Sequence, residues 1–317
     1  MEKKFLIAKH KIFEVIYFSI NTLDIFRNIY YNNLVKPYLY ERNMPMMDKI
    51  SLAGDLGSGK STVAKILISR LGAEYYSTGA IVRSIADQRG MTVSELNKYM
   101  ETHPEIDHEI DAGIAALSED ERFLVIDSRM AWHFTKGTFK VYLSCDIETS
   151  ALRIMNANRK GEHSATIEET IDCTRSRRES EKKRYKEQYG VDIKDLSNYS
   201  LIVDTTIATP DEIADCIIAA FKKWQQDKSF ACVYLSPERL HFPEMELDGD
   251  ALSPFTASVE RGEEDLGITV CEKDGEFYLV NGFEPAIAHV FNFSTFIPAR
   301  LVDAEPEGEY VRMRNSL

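Results

Sequence analysis

The stretch "SLAGDLGSGKSTVAK", Ser51 to Lys65, runs from an apolar segment through a glycine-rich turn into a segment of helical character. Its glycines, lysine and serine have the spacing G-x-x-x-x-G-K-[ST]. In that pattern backbone N–H groups cradle phosphates, the lysine reaches the β and γ phosphates, and the hydroxyl group meets Mg²⁺. The stretch therefore predicts a nucleotide-binding loop between a strand and a helix. The residues expected to hold the nucleotide are Gly54, Gly57, Ser58, Gly59, Lys60, Ser61 and Thr62.

Outward from this loop, strand-like and helical segments alternate from Lys49 to about Trp224. The strand-like segments are "KISLAG", "AEYYST", "FLVID", "FKVYLS" and "YSLIVDTT". Such alternation predicts an α/β fold, with a parallel sheet flanked by helices on both faces. Phosphate-binding turns then lie at the carboxyl ends of the strands, so the site is expected on one rim of the sheet.

The chain is long enough, at 317 residues, for two domains. We predict an N-terminal extension over 1–47, a nucleotide-binding domain over 48–224, a linker over 225–232 and a small α+β domain over 233–317. The last region has short strands and turns, with Asp274-Gly275 as a hairpin signal. It contains 17 acidic and 6 basic residues. This acidity weighs against a nucleic-acid partner.

More than half of the first 43 residues are Ile, Asn, Tyr, Phe or Lys. An amphipathic helix over Phe5 to Tyr31 is one interpretation. We favour another, in which the segment is translated leader ahead of a true start at Met44, Met46 or Met47, because these five residue types share AT-rich codons. Charged residues interrupt any membrane span here, and a span needs roughly 18 apolar residues.

The overall balance is acidic, with a net charge of −13. Nucleic acids and anionic membranes both attract positive surfaces, so neither is expected as a partner. The five cysteines show neither a disulfide framework nor a zinc spacing. We expect a cytoplasmic protein with reduced thiols.

Three further segments place polar groups on the predicted rim. In "STGAIVR" a helix begins at Thr78 and Gly79, whose N–H groups favour an anion, and Arg83 can bind a phosphate as a fork. In "FLVIDSRMAW", Asp127 ends a strand where a carboxylate commonly holds Mg²⁺, and Arg129 points into the same crevice. The alternatives are a solvated arginine at 83 and a capping role for Asp127.

The third segment is the basic helix "TRSRRESEKKRYKEQYG". Arg177, Glu181 and Arg184 are spaced i, i+4 and i+7 and share one face. Two arginines flanking a carboxylate suit a triphosphate and a base with an exocyclic amino group, although a solvated face is equally compatible with the composition. In "PEIDHEID", we expect Asp107 and Asp111 to form a solvated acidic stripe, with recognition of a base or sugar as the alternative.

Together, Gly54 to Ser61, "STGAIVR", "DSRMAW", "RRESEKKRYKEQYGVDIKDL" and "NYSLIVDTT" resemble the cytidylate kinases, especially the short archaeal-type branch and its bacterial relatives. The resemblance covers residues 49–224. It implies a P-loop nucleoside monophosphate kinase fold, with ATP and Mg²⁺ on the glycine loop and CMP or dCMP across the crevice. It implies that Arg83 and Arg129 grip the acceptor phosphate. It further implies that Arg177, Arg184 and Glu181 belong to a lid, and that Lys60 and the lid arginines serve catalysis.

The sequence departs from the family in three places, one of which is "DSR" at Asp127 to Arg129, where "GR" preceded by an acidic residue is usual and Ser128 would alter the turn. The base-binding insertion of the larger bacterial enzymes is absent, and Asp55 stands where proline is common. The C-terminal region faintly resembles the ParB-like nuclease fold. Its helix start, "GFEP" at Gly282 to Pro285, lacks that family's phosphate-binding motif. We therefore expect an interaction or regulatory module that binds a protein partner.

The type of acceptor follows from chemistry. A hydroxyl acceptor needs a carboxylate to take its proton, whereas a phosphate monoester is already ionised near pH 7. The arginines favour a phosphate acceptor. Two alternatives stay open: a P-loop kinase acting on a small-molecule hydroxyl group, and a non-catalytic ATP sensor that gates the C-terminal module.

Overall fold

A computed structural model of the chain describes residues 48–157, 166–244 and 249–312. The N-terminal extension, with its predicted leader or amphipathic helix, lies outside the described residues. The strands are β1 Lys49–Gly54, β2 Glu74–Ser77, β3 Leu124–Asp127, β4 Thr138–Ser144, β5 Leu201–Asp204, β6 Cys232–Leu235, β7 Leu240–Pro243, β8 Thr269–Lys273, β9 Glu276–Asn281, β10 Ile297–Leu301 and β11 Tyr310–Arg312. The helices are α1 Lys60–Leu71, α2 Thr78–Arg89, α3 Val93–Met100, α4 Pro104–Ala116, α5 Ala131–Phe134, α6 Ile147–Asn156, α7 Ile167–Tyr189, α8 Pro210–Gln226, α9 Gly249–Glu260 and α10 Phe283–Phe291.

The first five strands form a parallel sheet in the order β2-β3-β1-β4-β5. Every residue of β1, β3 and β5 is buried, as expected when helices cover both faces of a parallel sheet. On one face, Val63 and Leu67 of α1 pack with Ile213 and Ile217 of α8 over the strands. The α/β prediction for this region is confirmed.

Local sequence signals fix the ends of several helices. Thr92 and Glu95 form a capping box at the start of α3, and Thr209 and Glu212 form another at the start of α8. These reciprocal bonds satisfy amide groups that the first turn of a helix leaves without partners. The helices that border the rim therefore begin at defined residues.

The remaining strands continue the same sheet. β6 pairs in parallel with β5, and β10 pairs antiparallel with β6. β8 and β9 form a hairpin through Asp274 and Gly275, whose φ angles of 56° and 85° suit a tight turn. A second hydrophobic core joins Ala53 and Tyr142 to Val270 and Phe277. The boundaries of a separate 233–317 domain stay a prediction, but this region shares its sheet and one core with the strands before it.

A buried ion pair connects the two halves of the sheet. Arg239, 2% exposed, has its Nε atom 3.6 Å from Oδ1 of Asp204, the fully buried last residue of β5. Its guanidinium also lies 3.2 Å from Glu276 of β9 and donates to the carbonyl of Gly275 at 2.9 Å. The turn between β6 and β7 thus supplies a positive charge beside the buried carboxylate at the end of β5. In the three described ranges, no helix is both long enough and apolar enough to cross a membrane.

Candidate active site

The glycine loop lies between the end of β1 and the start of α1, on the rim formed by the carboxyl ends of the strands. Gly54 has a φ of 138°, and a Cβ atom there would collide with the carbonyl oxygen of Leu143. Gly57 has a φ of 75°, and a Cβ atom there would collide with the backbone of Ser150. Only glycine fits both positions. The loop is thereby held against β4 and α6.

The N-terminus of α1 is open toward the solvent side of the loop. Its N-cap residue, Gly59, makes no side-chain capping bond, whereas Ser77 caps α2 and Asp146 caps α6. Uncapped first-turn N–H groups and the positive end of the helix dipole together form an anion site. The structure therefore provides at Lys60 and Ser61 the donors that a phosphate group needs.

Lys60 is folded back onto the loop. Its Nζ atom donates to the carbonyl oxygens of Gly54 at 2.9 Å and Asp55 at 2.6 Å. Burial, together with the nearby charge of Arg129, lowers the pKa of this ammonium group to about 7. A bound polyphosphate would favour the charged form and give Nζ a better acceptor.

Ser61 and Asp127 meet at the same rim. The Ser61 hydroxyl donates to Oδ2 of Asp127 at 3.1 Å, and the Tyr75 hydroxyl donates to the same oxygen at 2.9 Å. A hydroxyl and a carboxylate are oxygen ligands that suit Mg²⁺, which keeps several waters and shares substrate phosphates. Among the described residues no cluster of three or more His, Cys, Asp and Glu side chains could hold a metal ion. The pair fits an ion brought in with a nucleotide.

Two cavities meet beside this rim. The larger, which we call the loop cavity, has a volume of about 520 Å³ and lies over the glycine loop. Its lining includes Gly57, Ser58, Gly59, Lys60, Ser61, Thr62, Arg83, Arg153 and Ile213. The smaller, the helix cavity, has a volume of about 70 Å³ and is bounded mainly by α2, α3, α4 and α7. Both are lined by Gly79, Asp127, Arg129 and Arg177, so these four residues mark their junction.

At the junction one carboxylate holds two arginines. Arg129 Nε donates to one oxygen of Glu181 at 2.9 Å, and Arg177 Nε donates to the other at 3.1 Å. Burial alone would raise the pKa of Glu181, but the two guanidinium groups outweigh it and lower the pKa to about 2. Because both of its oxygens accept from arginines, Glu181 is placed to orient them. Its predicted contact with the substrate stays a prediction.

The other predicted phosphate ligands lie around the same junction. Arg83 lines the loop cavity with an exposed side chain, and the structure gives it no ion pair with any residue in the described ranges. Thr78 and Gly79 line the helix cavity, and the Thr78 hydroxyl donates to the backbone carbonyl of Asp127 at 3.4 Å. These residues come together as the rim argument predicts.

Arg184 occupies a different place from Arg177. It is 3% exposed, its Nε atom lies 3.1 Å from Oδ2 of Asp107, and its Nη1 atom donates to the carbonyl of Asn97 at 2.7 Å. It lines the helix cavity. Its predicted catalytic role stays a prediction, and these contacts place it on the side of the junction away from the glycine loop.

The expectation that Asp107 and Asp111 form a solvated stripe is wrong. The two side chains are 2% and 5% exposed and line the helix cavity. Burial raises the pKa of Asp107, and it raises the pKa of Asp111 to about 7, with the charge of Asp107 acting in the same direction. Both aspartates follow isoleucines on the buried face of α4, a pattern that could have signalled their burial.

Asp55, for which the sequence offers no role, points into the protein. Its carboxylate accepts from the Tyr142 hydroxyl at 2.8 Å and from the Cys145 amide at 3.0 Å. It is also ion-paired with Lys194, and it lies 3.4 Å from Arg178 of α7. These two cations outweigh burial and hold its pKa well below the ordinary value. Asp55 thereby ties the glycine loop to α7 and the segment after it.

Comparison with known proteins adds a family to this geometry. Residues 49–207 match the model of the cytidylate kinase-like family. The cytidylate kinase of Thermoplasma volcanium is 36% identical over 174 residues, which are 54% of this chain and 89% of that protein. The cytidylate kinase of Pyrococcus furiosus is 38% identical over 173 residues, covering 54% and 86% of the two chains.

A longer relative matches as well. The S-adenosylmethionine-dependent nucleotide dehydratase of Lacinutrix mariniflava is 36% identical over 179 residues. The match covers 56% of this chain but 37% of that protein. The similar part is therefore a minor part of the longer relative.

Proposed function

The chain belongs to the cytidylate kinase-like family, and we propose that it transfers the γ-phosphoryl group of Mg-ATP to CMP or dCMP, giving ADP and CDP or dCDP. The bond between the γ-phosphorus and the bridging oxygen of ADP breaks, and an oxygen of the acceptor phosphate forms the new bond. In this proposal the loop cavity holds ATP and the helix cavity receives the acceptor.

The observation that carries the proposal is the arginine pair at the junction of the two cavities. Transfer between two phosphates brings anions together, and the barrier falls when fixed cations neutralise charge along the path. Arg129 and Arg177, oriented by Glu181, line both cavities, and Lys60 lies on the loop beside them. The arrangement suits two phosphorylated ligands facing each other.

Each group then has a defined task. The amides of the loop and of the first turn of α1 would bind the donor phosphates, and Lys60 would leave the loop carbonyls for the β and γ phosphates. Ser61 and Asp127 would hold Mg²⁺, which supplies charge neutralisation when bound. Arg83 and Arg129 would hold the acceptor phosphate in line with the donor.

A hydroxyl acceptor is the principal alternative. Such a reaction needs a general base near the acceptor, and Asp107 and Asp111 line the cavity where the acceptor would lie. Those carboxylates are the one feature that favours it. The family and the arginine pair both favour a phosphate acceptor.

The test is the release of ADP from Mg-ATP with a panel of acceptors: CMP, dCMP, UMP, AMP, shikimate and none. We expect turnover with CMP or dCMP and little with shikimate or without an acceptor. Turnover with shikimate alone would support the hydroxyl alternative. Tight ATP binding with no turnover in any arm would support a nucleotide sensor.

A further inference from the structure

We propose that Arg178 is a positioning residue for phosphoryl transfer, and that its ion pair with Asp55 holds one turn of α7 against the glycine loop. That turn carries Arg177 and Glu181, which meet at the junction of the two cavities. In the part of the chain that the structure describes, Asp55 and Arg178 line neither the loop cavity nor the helix cavity. The inference rests on the proposed function, because the junction acts only when two phosphates meet there.

One turn of α7 faces two parts of the protein. Arg177 and Glu181 are related as i and i+4, and both lie toward Arg129 at the junction. Arg178 reaches the glycine loop instead, where its Nη2 atom lies 3.4 Å from Oδ1 of Asp55. Residues three or four apart are neighbours on a helix surface, so a shift of this turn moves all three side chains together.

A third cavity, which we call the inner cavity, separates the glycine loop from this turn. Its volume is about 30 Å³, with room for about one or two water molecules. Its lining includes the charged residues Asp55, Arg129, Arg178, Glu181 and Lys194. The distance between the loop and the turn therefore depends on attraction between charged side chains.

The contact of Arg178 with Asp55 is an ion pair rather than a hydrogen bond. The Nε and Nη2 atoms of Arg178 are buried and have no hydrogen-bond partner within the described ranges. The two side chains are 21% and 6% exposed, so salt screens their attraction less than that of a surface pair. If Arg178 is replaced, Asp55 keeps Lys194, the Tyr142 hydroxyl and the Cys145 amide. Loss of Arg178 therefore releases the turn without leaving the Asp55 carboxylate unpaired.

The pair matters most when the acceptor phosphate binds. Glu181 holds the turn through Arg129, which grips the acceptor phosphate in the proposed function. A phosphate on Arg129 competes with Glu181 for the guanidinium donors and weakens that hold. The pair of Arg178 with Asp55 involves no ligand and keeps the turn in place. Its loss should therefore lower kcat and leave ATP binding, which depends on the loop and α1, nearly unchanged.

The experiment compares wild type with Arg178→Met and Arg178→Lys in steady-state kinetics with CMP, after urea denaturation has shown that each variant is folded. Methionine removes the charge and keeps an apolar stem, whereas lysine keeps the charge. We expect kcat to fall about ten- to a hundredfold in Arg178→Met and to recover most of this loss in Arg178→Lys. The affinity for a non-hydrolysable ATP analogue should change less than about twofold.

The matched control is Arg175→Met, which removes one charge from the exposed side of the same helix and should leave kcat unchanged. A wild-type kcat in a folded Arg178→Met would overturn the inference and leave the proposed function standing.

A double-mutant cycle separates positioning from the simple loss of a positive charge near ATP. If the ion pair carries the effect, Arg178→Met should lower kcat little further in an Asp55→Asn background. Equal losses in the two backgrounds would overturn the inference, because a charge that acts directly on the phosphates does not require Asp55.

Binding separates this inference from the proposed function. The affinity for CMP is measured with the glycine loop saturated by the ATP analogue. Weaker CMP binding in Arg178→Met than in Arg175→Met, without phosphoryl transfer in the wild type, would support the inference and count against the function. Equal CMP binding in the two variants without transfer would overturn both. Absence of CMP binding to the wild type would also count against both.

Discussion

The two cavities that meet at Arg129 and Arg177 are built in opposite ways. In the loop cavity one contiguous stretch, Gly57 to Thr62, supplies backbone amides in conformations set by glycine, and arginines from other elements complete the lining. The helix cavity takes its polar groups from side chains on α3, α4 and α7, which are distant in sequence. The first is a local structure that tolerates variation around it, while the second exists only when several helices pack correctly.

The largest effect is expected on the loop side. Lys60→Met removes the one side-chain cation of the loop and keeps an apolar stem of similar length. Because the ammonium group would act mainly on the charge of the transferring phosphoryl group, we expect kcat to fall about 10³-fold. Single-turnover kinetics would measure this, with CMP binding as the control that should change little. A near wild-type kcat in this variant would contradict a catalytic role for the loop.

Asp55 links the loop to α7, so replacing it should lower the free energy of unfolding. Asp55→Asn leaves Lys194 and Arg178 beside a neutral group in a buried site, at a cost of about 3 kcal/mol in the free energy of unfolding. Urea denaturation at pH 7 would measure it. Asp192→Asn serves as the comparison, because Asp192 is more exposed, its ion pair with Lys182 is long at 3.8 Å, and an amide oxygen can still accept from the Lys194 amide.

The same variant gives a pH signature. The folded-state pKa of Asp55 is depressed, so its contribution is fully present above the unfolded value near 4 and is lost as pH falls toward the folded value. The difference between wild type and Asp55→Asn should therefore shrink below about pH 4. A difference independent of pH would mean that packing, rather than charge, is responsible.

The arginine pair tests the junction itself. We expect Arg177→Ala to lower kcat about 10²-fold, because one transition-state donor is lost and Glu181 is left with a single partner. The control is Arg175→Ala, since Arg175 lies on the exposed side of the same helix and its ion pair with a described residue is a surface pair to Asp172. Equal activity in the two variants would contradict a role for the junction.

The smallest effect is expected on the helix cavity, and its sign is opposite to that of Asp55. The folded-state pKa of Asp111 is raised to about 7, so ionising it destabilises the folded protein as pH rises from about 4 through 7. We expect Asp111→Asn to be more stable than wild type at pH 8, with the gain disappearing near pH 4. Denaturation at both pH values would test this, and a loss of stability at pH 8 would show that Asp111 holds the fold together.

The contrast between the cavities also explains what could be predicted. The glycine loop, the parallel sheet around it and the rim position of Asp127 follow from short motifs and from the rule that parallel strands end on one edge. The burial of Asp107 and Asp111 does not follow from such rules, because a charged residue beside an isoleucine is expected to be solvated until the partner helix is known. Arg184 supplies the cation beside Asp107, and this contact spans more than 70 residues of sequence.

Asp55 illustrates the same limit inside the motif itself. Its position in the loop is variable in the pattern, so no rule assigns it a partner. Tyr142 reaches it from the neighbouring strand β4, and Lys194 reaches it because the segment after α7 returns to the glycine loop. Contacts of this kind depend on the tertiary path of the chain and carry no local signature.

The pairing of β6 with β5 bears on any attempt to shorten the protein. A fragment ending before residue 232 would leave β5 as an edge strand with unpaired backbone groups, and exposed edges of this type associate with one another. The same cut would remove Arg239 and leave the carboxylate of Asp204 without that ion pair. Trimming the chain to the part that matches the family would therefore favour aggregation over a minimal enzyme.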